Sequence, residues 1–555
     1  MTFFIQLLSV SVAIFASAVL ALIIRSKKRS LSFLQGPPSP SFLLGHEWAL
    51  TRVRRVGDLE SDWFERYGPV FRSAGCFGED ILEVSDPRAL QHICHKSAYR
   101  YKKPMDFEQL FGKLFGRGLV TVNGDIHQRQ RKIMNPVFSA PQIRPFTPIF
   151  ENCTQTLITK WRSEIEGGAT IIDCYRDFHG MTLDALGESM FDYHFDAMGK
   201  TRAGGLRDIL RDIFLDTRNP TRLKLLRDAS YRFLPKVVID FISLRKTRED
   251  KRWANWLAAG HKVTGALVTQ KVENGGGQEK DKDILSVIGQ STSPIFLSFL
   301  TVSQSIFAAR SLTAADPSKR LPQIEALSQM STMTFAGHET TASTLNWMLY
   351  ELSYNPEWQE KLFQEIQNIR GQAGNNDHLT VEDLESMPVL NGVIKETLRF
   401  HPIFPFLVRE AETDDIIPLE IPITDTSGSV LKEIPVIKGQ RVNINVFEYN
   451  RLKPVWGEDA DVWNPERFLE GARPTTLGVF AYLLTFSGGI RACIGWRFAV
   501  LELQVVTAAL VEAFKFSAVE GIEIDQVAVG PVGPMVKGKW GAGKQLPLEV
   551  TVRNA

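Results

Sequence analysis

One cysteine of this chain stands in a glycine-hinged loop whose residue types suit a metal ligand. Residues 486–495 read Phe-Ser-Gly-Gly-Ile-Arg-Ala-Cys-Ile-Gly and fit the pattern F-x-x-G-x-R-x-C-x-G, with fixed positions at Phe486, Gly489, Arg491, Cys493 and Gly495. The apolar run that follows predicts a buried helix, whose dipole would favour the thiolate form of the cysteine. The two glycines indicate backbone angles or close approaches that side chains forbid, and the arginine suits bidentate pairing with a carboxylate.

This loop resembles the haem-binding loop of the cytochrome P-450 family of haem-thiolate monooxygenases. The resemblance implies that Cys493 is the axial ligand of the haem iron, that Arg491 pairs with a haem propionate, and that Phe486 shields the sulfur. A buried structural cysteine beside a glycine turn is the competing interpretation, since lone cysteines are usually of that kind. Five fixed positions, however, match by chance in only about one such chain in ten thousand.

Three further residues fit a role at the haem carboxylates. The resemblance places Arg131 and Arg409 at propionate-contacting positions, and His127 where many relatives have tryptophan. A histidine ring N–H could replace the indole donor. The neighbouring Arg129 and Lys132 are interpreted either as solvated side chains or as a basic surface that docks an acidic electron donor.

Residues 321–354 predict one long helix, opened by Pro322. At its middle, residues 336–341 read Ala-Gly-His-Glu-Thr-Thr, where a small pair lets a bulky group approach and an acid beside an alcohol offers a proton relay. This stretch resembles the oxygen-activating helix of the family, in which Thr340 would hydrogen-bond dioxygen and Glu339 would help to deliver protons. The alternative is a solvated acidic patch in which the serine and threonine residues have no chemical role.

A second pair of charged motifs indicates a structural role. Glu396 and Arg399 are spaced i and i+3 on one helix face, and Arg467 lies in a proline-anchored segment shortly before the cysteine loop. Taken alone, such residues are usually exposed. The resemblance implies a buried Glu-Arg-Arg cluster that fastens the helix to the haem-loop side of the fold.

Composition excludes several classes of protein. The 555 residues are 44% hydrophobic and 23% charged, which is typical of globular chains. With 64 basic and 63 acidic residues the net charge is +1, so nothing suggests a nucleic-acid partner. Five cysteines without paired spacing argue against disulfides, zinc or iron–sulfur centres and for a reducing compartment.

The N-terminus predicts a membrane anchor. Residues 3–24 are almost wholly apolar, and basic residues cluster directly after them at 25–29. That charge order places the N-terminus outside and the rest in the cytoplasm, whereas a cleaved signal peptide carries its charges first. A cleavage-like Ala-Ser-Ala at 16–18 is the competing interpretation. The predicted organisation is a transmembrane signal anchor at residues 1–24, a basic and proline-rich linker at 25–43, and the haem-thiolate monooxygenase domain at 44–555.

The expected fold is mainly α with small β-sheets, as in the cytochrome P-450 fold, preceded by one N-terminal transmembrane helix. Extended segments are predicted at residues 70–72, 81–84 and 434–444, the last around the Lys438-Gly439 turn. Residues 289–309 interrupt the family-like pattern. They are either a surface segment that touches the membrane or translated intron from a faulty gene model.

The resemblance implies haem b as cofactor and a catalytic cycle that consumes O2 and NADPH. No dinucleotide fingerprint occurs in a strand–helix setting, so electrons must come from a partner. The family implies a membrane-bound NADPH–cytochrome reductase, with cytochrome b5 as a second donor, and localisation as a single-pass protein of the endoplasmic reticulum membrane.

The substrate is predicted to be apolar. Positions that would line the pocket are hydrophobic or aromatic and carry no fixed charge: Phe107, Leu110, Phe111, Phe115, Met330, Met333, Ile403, Phe404 and Phe406. The overall pattern is similar to fungal microsomal members, which favours a terpenoid of secondary metabolism over the alternative, a fatty-acid or xenobiotic hydroxylase. A haem-thiolate isomerase or dehydratase is a third hypothesis, against which the Glu339-Thr340 pair argues.

Overall fold

The computed structural model describes residues 31–191, 193–199, 213, 220–273, 321–372, 378–469, 477–528 and 530–553. The predicted anchor at 1–24 and the segment 289–309 lie outside these residues. Among the residues that are described, no helix is both long enough and apolar enough to cross a membrane.

The described chain is mostly helical with small sheets, as the sequence predicts. The helices are α1 (Glu47–Leu50), α2 (Glu60–Tyr67), α3 (Pro87–Gln91), α4 (Met105–Phe115), α5 (Gly124–Met134), α6 (Ala140–Ile143), α7 (Thr147–Glu166), α8 (Cys174–Leu186), α9 (Arg222–Ser230), α10 (Lys236–Ser243), α11 (Arg248–Glu273), α12 (Gln323–Tyr354), α13 (Pro356–Gln372), α14 (Val381–Ser386), α15 (Pro388–Phe400), α16 (Val446–Tyr449), α17 (Lys453–Trp456) and α18 (Trp496–Ala513). The strands are β1 (Val70–Ala74), β2 (Asp80–Val84), β3 (Tyr101–Lys102), β4 (Ile171–Asp173), β5 (Phe406–Ala411), β6 (Asp415–Thr424), β7 (Val430–Val436), β8 (Arg441–Asn445), β9 (Phe514–Ala518), β10 (Ile524–Ala528), β11 (Val532–Val536) and β12 (Pro547–Val552).

The strands form four sheets. A five-stranded sheet has the order β1-β2-β8-β5-β3, in which only β2 and β8 run parallel. A three-stranded sheet has the order β4-β12-β9, and β6–β7 and β10–β11 form two-stranded sheets. The predicted extended segment 434–444 is therefore two strands of different sheets. Gly439 lies between them with a φ of 83°, a value that favours glycine.

The helix α12 runs through the core, where it contacts α8, α15 and α18. It begins directly after Pro322, as the sequence predicts, and it packs closely on α8 because Gly337 has no side chain. A Cβ at Gly337 would lie 2.5 Å from Leu186 Cδ1. The buried helix α18 starts at Trp496, just after the cysteine loop. The two helices α12 and α18 thus position the two motifs that the sequence singles out.

Candidate active site

The cysteine loop is a tight turn closed by its own backbone. The Cys493 N–H donates to the Phe486 carbonyl at 2.8 Å. Ser487 and Gly489 both adopt positive φ, 58° and 63°. A Cβ at Gly489 would lie 1.9 Å from the Cys94 carbonyl oxygen, so only glycine fits there.

Gly495 differs from the expectation of a strained hinge. Its φ is −92°, and an added Cβ would meet nothing closer than Phe138 at 3.6 Å. Both values are acceptable for ordinary residues. Within the described residues, the protein itself therefore requires a glycine at 489 and not at 495.

The Cys493 residue is solvent-accessible, although protein atoms surround it closely. Burial raises the pKa of its thiol, while the Gly495 backbone and the positive charge of Arg131 lower it. In the protein alone, desolvation therefore outweighs the expected effect of the helix dipole, and the pKa of the Cys493 thiol is raised. A metal cation on the sulfur would supply the missing positive charge and keep the thiol deprotonated.

Several cationic side chains gather beside the loop. All three guanidinium nitrogens of Arg491 are buried and lack a hydrogen-bond acceptor in the described part of the chain. Burial and the nearby charge of Arg409 lower the pKa of Arg491 to about 10. Arg131 reaches the loop itself and donates to the Ala492 carbonyl. Buried N–H groups without acceptors are unfavourable, so this cluster requires an anion.

Lys103 belongs to the same cluster, although nothing in the sequence analysis singled it out. The side chain is buried, and its Nζ donates to the carbonyls of Leu119 and Val122 at 3.0 and 3.1 Å. Burial, followed by the charges of Arg491 and Arg409, lowers its pKa well below the ordinary value. In the sequence it is one of two adjacent lysines, which is typical of a solvated surface.

His127 lies at the edge of the cluster as a neutral ring. It is 2% exposed, with Nδ1 3.5 Å from the Tyr99 hydroxyl. Burial, followed by the charges of Lys103, Arg491, Arg131 and Arg409, lowers its pKa to about 3. The ring therefore keeps one N–H to donate at neutral pH.

These residues fit the haem that the resemblance implies. An anionic group with two carboxylates would satisfy the unpartnered nitrogens of Arg491 and the charge of the neighbouring cations. Cys493, which is exposed, would ligate the iron through its sulfur. Phe486 is partly buried, with its ring 6.1 Å from that of Phe480, and it contributes the carbonyl that closes the loop.

The acid and the alcohol of α12 have different surroundings. Thr340 is partly buried, and its hydroxyl donates to the Ala336 carbonyl at 2.7 Å within the same helix. Glu339 is buried, and its carboxylate lies 3.1 Å from His179 Nε2 and 3.2 Å from Lys544 Nζ. Burial alone would raise the pKa of Glu339, but the adjacent His179 and Lys544 side chains hold it well below the usual range. Glu339 is therefore ionised.

The structure brings Glu396, Arg399 and Arg467 into contact in the interior. Arg399 pairs with both carboxylate oxygens of Glu396 at 2.7 Å, and neither side chain is exposed. Arg467 Nε lies 3.5 Å from Glu396 and also pairs with Asp459 at 2.6 Å. The cluster joins α15 to the segment before the cysteine loop.

The residues predicted to line the pocket fall into two groups. The rings of Phe107 and Phe111 stack at 4.4 Å, Phe115 lies 6.2 Å from Phe111, and Phe335 of α12 lies 5.2 Å from Phe115. They form an aromatic row from α4 to α12. The other predicted positions are buried core or partly exposed: Leu110 is partly buried, Met330, Met333 and Ile403 are buried, and Phe404 and Phe406 are exposed.

The two basic residues beside Arg131 are not equivalent. Arg129 donates from Nη2 to both carboxylate oxygens of Glu325 at 2.9 Å, so it fastens α5 to the start of α12. Lys132 is exposed. Of the two, only Lys132 presents its charge freely for docking of an electron donor.

Comparison with known proteins identifies relatives over nearly the whole chain. A family model described as Cytochrome P-450 matches residues 35–531. Cytochrome P-450 monooxygenase 205 of Postia placenta is 33% identical over 98% of this chain and 97% of its own length. The ganoderic acid synthetase of Ganoderma lucidum is 30% identical, with 88% of each chain covered. Cytochrome P-450 monooxygenase claW of Ampulloclitocybe clavipes is 28% identical over 94% of this chain and 93% of its own.

Proposed function

The chain belongs to the cytochrome P-450 family, and from that premise we propose that it is a membrane-bound monooxygenase that oxidises a terpenoid in secondary metabolism. The observation that carries the proposal is the exposed Cys493 in the same loop as Arg491, whose buried guanidinium lacks an acceptor among the described residues. Thiolate-ligated haem iron supplies the activation of dioxygen when it is bound. Electrons would come from NADPH through a partner reductase.

The residues of this chain would divide the remaining work. Cys493 would hold the iron, and Arg491, Arg409 and Arg131 would hold the haem carboxylates together with the neutral ring of His127. Gly489 lets the loop approach Cys94 closely enough to present the sulfur.

On α12, Glu339 and Thr340 would handle protons. The ionised carboxylate of Glu339 accepts a proton, and the Thr340 hydroxyl, now bonded to the Ala336 carbonyl, can turn toward the pocket. The aromatic row from Phe107 to Phe335 would exclude water from the reacting face.

The terpenoid assignment rests on two supports. The row of phenylalanine rings offers an apolar surface without a charge that would bind a carboxylate or an amine. One relative is named a ganoderic acid synthetase, which favours a substrate of secondary metabolism. A fatty-acid or xenobiotic hydroxylase is the competing activity, since long apolar chains fit such a surface as well.

The test uses microsomes that contain this protein and a fungal-type NADPH–cytochrome reductase, supplied with NADPH and a panel of terpenes, sterols and fatty acids. Mass spectrometry detects addition of oxygen, and microsomes with the Cys493→Ala variant supply the background. A product with a terpenoid skeleton supports the proposal. Oxidation of fatty acids alone would replace the terpenoid assignment with the competing one.

The proposal includes an N-terminal anchor at residues 1–24 in the endoplasmic reticulum membrane, with the catalytic domain in the cytoplasm. It is supported by the apolar run and by the basic residues that follow it. Protease treatment of sealed microsomes should digest the domain from the outside. Protection of the domain would contradict this orientation.

A further inference from the structure

The helix α4, which carries most of the aromatic row, begins with a buried carboxylate. Asp106 directly precedes Phe107, the first ring of the row, and its side chain is 7% exposed. Two arginines from distant parts of the chain bind this carboxylate. Arg441 of β8 donates to both oxygens at 3.1 Å, and Arg232 Nε donates to Oδ2 at 2.8 Å. The start of the row is therefore tied to the five-stranded sheet and to a second element.

That second element is the turn at residues 231–235, between α9 and α10. The guanidinium of Arg232 also binds Glu47 of α1, with an Nη1–Oε1 distance of 2.6 Å and an Nη2–Oε2 distance of 2.9 Å. Its Nη1 donates as well to Glu79 Oε2, just before β2, at 2.9 Å. One buried side chain thus joins α1, the connection between β1 and β2, the α9–α10 turn and α4.

The far end of α4 is tied to the same part of the chain. Lys113 Nζ donates to Asp250 Oδ1 of α11 at 3.0 Å. The other oxygen of Asp250 accepts from the Thr247 N–H at 2.8 Å, at the start of α11, so the helix itself holds this carboxylate in place. Charged contacts therefore fasten α4 at both ends to the segment that runs from α9 to α11, and the apolar rings lie between them.

The cluster around Arg232 brings three carboxylates together with two guanidinium groups. Burial alone would raise the pKa of Asp106, but the charges of Arg441 and Arg232 hold it well below the usual range, so this group is ionised. At Glu79 burial outweighs the same two charges and raises the pKa. Without Arg232, three acids would surround one guanidinium, and their mutual repulsion in the interior would loosen the elements that carry them.

Ion clusters of this kind fix geometry more than they add stability. Buried charges lose their hydration, so apolar residues of similar volume are often at least as stable. The forked donors of an arginine, however, bind carboxylates only in a narrow range of directions. A cluster that joins four elements through one guanidinium therefore specifies how those elements are arranged.

We propose that Arg232 is a positioning residue of the substrate pocket, which acts through Asp106 to fix α4, and with it the aromatic row, against the α9–α10 turn. The inference rests on the proposed function, in which the row is the apolar wall that faces the substrate. Arg232 itself touches neither substrate nor haem. Its loss displaces the wall without removing any group from the wall.

The first test is hydrogen–deuterium exchange of the purified, haem-loaded full-length protein, followed by mass spectrometry of its peptides. The variants are Arg232→Met, the milder Arg232→Lys, which keeps the charge but not the fork, and the matched control Lys236→Met. Lys236 lies four residues after Arg232 and pairs with Asp240 at 2.6 Å, but its side chain is 65% exposed. Peptides from α13 serve as an internal reference.

In Arg232→Met we expect the amides of residues 109–115 to exchange at least about tenfold faster than in the wild type, because a broken buried ion cluster favours local opening. Arg232→Lys should show a smaller increase, and Lys236→Met and the α13 peptides should show none. Faster exchange in α9 with no change at residues 109–115 would overturn the inference, since Arg232 would then stabilise only its own turn. If Arg232→Met does not fold, unchanged exchange of α4 in Arg232→Lys overturns it.

The second test asks whether the wall is in place, by titration with imidazole and with 1-dodecylimidazole while the Soret band is recorded. Both probes offer the same ring to the haem iron, so the ratio of their Kd values isolates the contacts of the alkyl chain. The advantage of the dodecyl probe should fall at least about fivefold in Arg232→Met, the effect of little more than one buried methylene group. It should stay at the wild-type value in Lys236→Met.

An unchanged dodecyl advantage in both Arg232 variants would overturn the inference and leave the proposed function intact. A wild-type protein whose Soret band does not respond to imidazole would contradict the proposed function instead. The exchange measurement does not use the haem iron, so it distinguishes a failure of the ion cluster from a failure of the haem site.

Discussion

Replacement of Arg399 by methionine removes the side chain that joins α15 to the segments around Asn450 and Ala460. The guanidinium is fully buried and donates five hydrogen bonds. Two go to Glu396 and three to the carbonyls of Asn450, Ala460 and Val462. Methionine has a similar length and fills most of the space, so the change isolates the loss of charge and donors.

The expected effect is large. A buried carboxylate that loses its partner costs about 3–5 kcal/mol, although Glu396 keeps the Asn464 amide at 2.8 Å and Arg467 at 3.5 Å. Each of the three carbonyls adds about 1 kcal/mol or more. The sum, roughly 6–8 kcal/mol, is comparable with the whole stability of an ordinary domain, about 5–15 kcal/mol.

The assay compares the urea midpoint and the haem content per protein of Arg399→Met with those of Arg144→Met. Arg144 also pairs with two glutamates, Glu382 and Glu385, but its side chain is 44% exposed. Its loss should cost less than about 1 kcal/mol. Equal midpoints for the two variants would refute the reasoning that burial makes the Arg399–Glu396 pair contribute more to stability than the exposed pairs of Arg144.

Three further experiments have specific expected outcomes. Thr340→Ala should lower the product formed per NADPH, measured with the substrate that the microsome panel identifies; unchanged coupling would remove the hydroxyl from the relay. Gly489→Ala should abolish haem retention because its Cβ would lie 1.9 Å from the Cys94 carbonyl oxygen, whereas Gly495→Ala should retain haem, as absorption spectra will show. Glu83→Gln should stabilise the protein by up to about 3 kcal/mol at pH 8 and not below about pH 4.5, since burial raises the pKa of this acid to about 7 and its ionisation opposes folding only as the pH rises between those values. Denaturation midpoints at both pH values measure this, and a shift of equal size at both would contradict it.

The sequence predicted those features that depend on residues close together in the chain. The run from 321 to 354 gave the long helix almost to the residue, because Pro322 marks its start and the apolar pattern continues to its end. The i and i+3 spacing likewise placed Glu396 and Arg399 on one face of α15. The family assignment, made from the cysteine loop, is confirmed by the family match over residues 35–531.

Features that depend on distant contacts could not be predicted. Lys103 is one of two adjacent lysines, and only the fold turns it inward toward Arg491. Lys544 is 205 residues from Glu339 in the chain, so no local pattern connects them. The segment 434–444 has the composition of a hairpin, but its two halves pair with strands of different sheets.

The most direct test of the account is the absorption spectrum of the reduced protein with carbon monoxide, recorded for the wild type, Cys493→Ala and the control Cys153→Ala. Cys153 is a buried cysteine of α7, in a different element from the cysteine loop. The account predicts the red-shifted Soret band of a thiolate-ligated haem for the wild type and the control, and its loss in Cys493→Ala. The same band in Cys493→Ala would contradict the assignment of the haem ligand and of the site built around it.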